Sequence, residues 1–148
     1  MTKVRVTKTF SFEMAHALYG YDGPCKNIHG HTYYLSVTVI GEPLQNAKHP
    51  KNGMVIDFSE LKKIVTECVV EDADHALVLN ARSPHNKIPG LKKHFDKIVF
   101  TEYQPTCENL LLGFKNKVEK KLPPQIKLFS MKLQETPSSF AEWHSTDN

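Results

Sequence analysis

The sequence predicts a single α+β domain in which an antiparallel sheet is covered on one face by two helices. Three observations lead to this. Long segments near the start and the end alternate apolar and polar residues, as half-buried strands do. Two other segments carry apolar residues at helical spacing behind residues suited to cap a helix. The order strand, strand, helix, helix, strand, with a further extended piece at the end, suits a sheet with helices on one side. At 148 residues the chain is the size of one domain that can bury its own core. No repeat or composition break divides residues 1–148.

The first strand is read from Val4, Val6, Phe10, Phe12 and Met14, which share one parity, with His16 closing the row. In the second, His29, His31, Tyr33, Leu35, Val37 and Val39 share a parity, so its apolar face begins with two histidines. If the two strands are neighbours, His16 meets His29 and His31 at one end of the core. A lone histidine on an apolar face is usually structural. Three imidazoles buried together without a shared ion are costly, so we read them as a zinc triad with Cys25 beside it.

The segment between Gly41 and Gly53 reads as an exposed connection that includes His49. Asp57 caps a helix whose buried stripe runs through Phe58, Leu61, Ile64, Val65, Cys68 and Val69, with Glu60 in its first turn. The Asp74-His75 pair that follows is a common dipeptide, whose value depends on where the fold places it. Residues 82–97 read as a loop with a short helical turn, with His85 and His94 on its surface. Ile98–Phe100 reads as a strand. Thr106 caps the second helix, with Leu110, Leu111, Phe114, Val118 and Leu122 on its stripe, before Pro123-Pro124 stops it. Cys107 opens that helix, either as a thiol activated by the helix N-terminus or as simple packing. The last strand carries Phe129, Met131 and Leu133 on one parity, and Glu135 continues the row. A carboxylate there is either a paired structural acid or waits for a ligand with donors. The segment up to Trp143 adds an extended piece.

Composition excludes several classes. The net charge of +3 comes from scattered lysines, which give no case for nucleic acid while tolerating an anionic substrate. No apolar run reaches membrane-span length, and the start alternates like a strand and does not read as a leader, so no membrane is expected and a cytoplasmic setting is. Cys25, Cys68 and Cys107 are odd in number and form no CxxC, which suits free thiols in a reducing compartment.

FxxAH at Phe12–His16, CxxxHGHTY at Cys25–Tyr33, Ile56-Asp-Phe58, Asp74-His75, Pro105-Thr-Cys-Glu-Asn109 and Glu135-Thr-Pro-Ser-Ser-Phe-Ala-Glu142 occur in this order over nearly the whole chain. Together they resemble the 6-pyruvoyl-tetrahydropterin synthase superfamily. Three residues between the cysteine and HGH resemble its 6-carboxy-tetrahydropterin synthases of queuosine biosynthesis, whereas the biopterin-pathway enzymes typically have five. The resemblance implies the tunnelling fold: a four-stranded antiparallel sheet with two helices that assembles into barrels, usually homohexamers (dimers of trimers) with active sites between subunits. It implies Zn2+ on His16, His29 and His31, Cys25 as general base, and Asp74-His75 as a proton-shuttling dyad. Glu135 would anchor a pterin ring, with Thr106, Cys107 and Glu108 beside it; Cys107 stands where serine or alanine is often found. The implied reaction converts 7,8-dihydroneopterin triphosphate to 6-carboxy-5,6,7,8-tetrahydropterin with loss of triphosphate and acetaldehyde. Two alternatives stand: a pyruvoyl synthase acting on the same substrate, and a non-catalytic zinc module closed by Cys25 as fourth ligand.

Overall fold

A computed structural model describes all 148 residues. Strands β1 (Val4–His16) and β2 (His29–Gly41) form a long antiparallel ribbon, extended on the β2 side by β5 (Lys127–Thr136) and β6 (Ser139–His144). This is the expected four-stranded antiparallel sheet. Two short strands enlarge it: β3 (Ala76–Asn80) pairs parallel with Met14–His16, and β4 (Ile98–Thr101) pairs parallel with β3. The sheet is therefore six-stranded and mixed, in the order β4-β3-β1-β2-β5-β6. Strand β3 escaped the sequence reading because Ala-Leu-Val-Leu has no alternation, as in a short strand covered on both faces.

Helix α1 (Phe58–Val65), a short α2 (Glu71–Ala73) and α4 (Cys107–Lys121) lie on one face of the sheet, while α3 (Leu91–His94) is a single turn between β3 and β4. Asp57 caps α1 by accepting from the Ser59 N–H, and Thr106 caps α4 by accepting from the Asn109 N–H, as their sequence positions predict. Between α1 and α2 a π-turn spans Thr66–Val70. Its cause is visible in the sequence: the buried Leu61, Val65, Val69 and Ala73 recur every fourth residue. Each four-residue step overshoots a full α-helical turn by about 40°, so the row would rotate off the sheet. The wider turn takes back that drift and keeps all four side chains facing the core. Cys68 packs at the edge of the core, as expected.

The core runs through Phe12, Tyr33, Leu35, Leu61, Leu110 and Leu133. Three readings of the buried rows need correction. Phe58, placed on the α1 stripe, is 52 % exposed at the first position of the helix, and only Leu61 and Val65 of α1 are buried. Val4, the first residue of β1, is 42 % exposed, and burial of its row builds only further along the strand, toward Phe12. Phe129 does not share the row of Met131. A bulge pairs Thr38 with Ser130 and the next residue, Val39, with Leu128, so Leu128 faces the core and Phe129 lies beneath the Arg5 guanidinium at 3.7 Å.

His75 is the one non-glycine residue with positive φ, at 62°, where the chain turns from α2 into β3. A left-handed backbone costs a non-glycine residue roughly 1–2 kcal/mol, partly offset in glycine by its looser unfolded chain. His75→Gly is therefore expected to stabilise the fold by roughly 0.5–1 kcal/mol, read from urea denaturation, and His75→Ala is not. Equal midpoints for the two variants would show that the turn stores no strain.

Candidate metal centre

The ladder between β1 and β2 sets the histidines opposite one another: His16 pairs with His29, and Met14 with His31. Their ring centroids lie 4.6 Å (His16–His29), 5.4 Å (His16–His31) and 5.0 Å (His29–His31) apart. One nitrogen from each ring falls within 4.8 Å of the others, and the group closes on three imidazoles without a cysteine. His16 Nδ1 is 2.7 Å from the Pro105 carbonyl and His29 Nδ1 is 2.7 Å from the Asn27 carbonyl. A carbonyl only accepts, so both Nδ1 atoms carry the proton and both Nε2 lone pairs are free. Burial pushes the His16 and His31 imidazoles below their ordinary range, which keeps them neutral. Nε2 of His29 and of His31 is buried without a hydrogen-bond partner. Bare nitrogens of this kind are costly in a polypeptide and are satisfied by a metal ion, so the residues fit one.

Beside His16 opens a cavity of about 490 Å³, lined also by Cys25, Thr106, Cys107, Glu108 and Glu135. Cys25 sits half-buried in a 3-10 turn (Pro24–Lys26), and its carbonyl accepts from the Leu18 N–H at 3.0 Å, which ties the loop back to the end of β1. Gly20, at φ 79°, supplies the reversal inside that loop. Glu135 Oε1 lies 3.6 Å from His16 Nε2 and accepts from the Tyr33 hydroxyl at 3.1 Å. Burial, and then the neighbouring Glu135 charge, raise Tyr33 well above its ordinary value, so the hydroxyl remains a donor. Cys107 donates to the Leu133 carbonyl at 3.3 Å, and burial, then Glu135, push its thiol up to about 11. Both the raised thiol and its bond to Leu133 favour packing over an activated thiolate at Cys107. Glu108 is exposed at the cavity mouth.

Asp74 and His75 are brought together but not into this cavity. Asp74 Oδ1 lies 3.1 Å from His75 Nδ1 and accepts from the Glu13 N–H at 2.9 Å, a bond that leads in holding the carboxyl below its usual range. The His75 N–H in turn donates to the Glu13 carbonyl at 2.6 Å. His75 lines a second cleft of about 790 Å³ that also receives His31 and Lys97, and 77 % of its side chain is exposed. The triad thus stands between two cavities, with Cys25 and Glu135 on one side and the dyad on the other.

Sequence reasoning missed Tyr33 as a polar member of the site, because its parity reads as core and only the approach of β5 shows where its hydroxyl goes. It also placed His85 on the surface. His85 is half-buried edge-on to Tyr19 at 5.2 Å, since the loop carrying Tyr19 folds over it. His49 and His94 are exposed as expected.

Comparison with known proteins places this arrangement. The family model for 6-pyruvoyl tetrahydropterin synthase matches residues 5–145. The 6-carboxy-5,6,7,8-tetrahydropterin synthase of Haemophilus influenzae is 36 % identical, over 94 % of this chain and 97 % of that protein. The protein of the same name from Rickettsia bellii is 30 % identical over 94 % and 99 %. Among solved structures, the Caenorhabditis elegans 6-pyruvoyl tetrahydropterin synthase superposes with a TM-score of 0.69 at 24 % identity, over 98 % of this chain and 97 % of that one.

Proposed function

The chain belongs to the 6-pyruvoyl tetrahydropterin synthase family, and from that premise we propose that it is a zinc-dependent lyase of queuosine biosynthesis. It converts 7,8-dihydroneopterin triphosphate to 6-carboxy-5,6,7,8-tetrahydropterin, releasing triphosphate and acetaldehyde. The observation that carries the proposal is the set of three converging imidazoles, two with buried bare Nε2 atoms, of which His16 lines the cavity that also holds Cys25 and Glu135. Nitrogen ligands in this number suit zinc with a vacant position, as catalytic sites have.

His16, His29 and His31 would hold the ion, which when bound would supply Lewis-acid chemistry that makes a carbon-bound proton of the substrate easier to remove. Cys25 accepts that proton. The Asp74 carboxylate orients the His75 ring, which exchanges a proton with the substrate hydroxyl. Glu135 accepts hydrogen bonds from the pterin ring N–H and amino groups, with Thr106, Cys107 and Glu108 around the ring. One chain separates the dyad from Cys25, and the edge of β1 from Val4 to Phe12 has no strand neighbour and is free to pair. Both features support a homohexamer, a dimer of trimers, with active sites between subunits. Three unpaired cysteines suit a cytoplasmic setting, and no helix is long and apolar enough to cross a membrane.

The test supplies dihydroneopterin triphosphate to the zinc-loaded protein. Acetaldehyde appearing in step with the carboxylated product is the expected result. The pyruvoyl product without acetaldehyde would move the chain to the sibling reaction. Glu135→Ala is expected to weaken substrate binding by about 2–4 kcal/mol through loss of charge-assisted bonds, and Glu135→Gln by less. Steady-state KM and direct binding check this. Unchanged binding in both variants would leave Glu135 a structural acid.

A further inference from the structure

We propose that Tyr33 is the positioning residue that holds the Glu135 carboxylate clear of the metal, so that Glu135 receives the pterin and does not close the site as a fourth ligand. The inference rests on the functional reading above and adds a residue to it.

Tyr33 cannot move aside. None of its surface is exposed, its ring stacks on Phe12 at 5.5 Å, and it meets the His31 and His16 rings edge-on at 5.5 and 6.2 Å. The hydroxyl is thereby fixed with two acceptors in reach, Glu135 Oε1 at 3.1 Å and His16 Nε2 at 3.5 Å. It has one proton to give. The nearer acceptor is a carboxylate, which takes it, and this leaves His16 Nε2 unencumbered for a metal.

Glu135 needs restraint. Its Oε1 lies 3.6 Å from His16 Nε2, closer than the 4.8 Å limit within which the three imidazole nitrogens lie of one another. A carboxylate oxygen is a good zinc ligand at about 2.0–2.2 Å, and a fourth protein ligand turns an open tetrahedral site into a closed one. The Tyr33 hydroxyl is the one hydrogen-bond donor on this carboxylate. It occupies Oε1 on the metal side and leaves the rest of the group to face the cavity. Orientation of a ligand-binding group by a second residue of this kind commonly decides affinity by about 10–100-fold.

Tyr33→Phe in the full-length chain removes the oxygen and keeps the ring. Three measurements are made: zinc content, binding of 7,8-dihydroneopterin, which lacks the triphosphate, and the visible spectrum of the cobalt-loaded protein. The expected result is unchanged metal content, a dihydroneopterin Kd raised about tenfold or more, and a shifted cobalt absorption as a carboxylate takes the fourth position. On a Glu135→Ala background the same substitution is expected to change neither binding nor spectrum, because no carboxylate remains to be restrained. A metal-replete Tyr33→Phe protein that binds dihydroneopterin within twofold of the wild type overturns the proposal. So does an equal loss on the Glu135→Ala background, or a variant that fails to fold, since each makes the hydroxyl structural. A wild-type chain that binds no dihydroneopterin overturns the functional reading and this proposal together, whereas binding by the wild type with no change in the variant overturns the proposal alone.

Discussion

Replacing His16, His29 or His31 by alanine is expected to release the metal and lower turnover by about 10³-fold or more, because two protein ligands do not retain an ion whose charge supplies several kcal/mol to the barrier. The fold is expected to survive. The rings sit on β1 and β2, whose ladder continues over 13 paired positions and does not depend on these side chains. His16→Ala is the hardest case, since that ring is buried and its Nδ1 holds the Pro105 carbonyl. Metal content after dialysis, measured beside turnover and circular dichroism, checks the expectation. A variant that keeps its metal and its rate removes that histidine from the triad.

Cys25→Ala is expected to have the second-largest effect, and in a different pattern. The metal stays at full occupancy and substrate still binds, yet turnover falls by about 10²–10⁴-fold because no group accepts the proton. His75→Ala follows the same pattern, since the Asp74 carboxylate is left without the imidazole it orients. A structural zinc site closed by Cys25 would behave oppositely, with Cys25→Ala losing metal and stability and His75→Ala nearly silent. The three-nitrogen group already argues against closure by sulfur. Metal content and single-turnover rates of the two variants decide between the patterns, and metal lost from Cys25→Ala would falsify the general-base assignment.

What could be read from the sequence follows from which forces are local. Alternation and helix caps are local, so β1, β2, Asp57 and Thr106 were legible, and the shared parity of His29 and His31, with His16 closing the row of β1, brings the three histidines together from pattern alone. Strand β3 was not, because Ala76–Asn80 owes its conformation to the strands paired along both of its edges and not to its own pattern. Phe129 was misplaced because a bulge depends on the pairing of β5 with β2, not on the sequence of β5 alone. The site divides in the same way. Cys25 and Glu135 announce themselves as reactive groups in suggestive places, while the use of the Tyr33 hydroxyl depends on two strands about a hundred residues apart in sequence. That His75 lines a separate cleft follows from the parallel docking of β3 on β1, which no dipeptide pattern encodes.

The direct pairing of His16 with His29 also bears on the thermodynamics of metal capture. In a small zinc module the ligands are scattered in the unfolded chain, and the ion spends its binding energy on ordering them. Here the sheet has ordered them already. The apolar burial of the core and the ladder offset the loss of chain entropy, so the arriving ion meets a rigid chelator whose arms are fixed in direction and spacing. Its affinity then reads as a chelate effect and not as a folding energy. A metal held there is expected to leave the stability of the domain largely unchanged, and to exchange without the chain passing through an unfolded state.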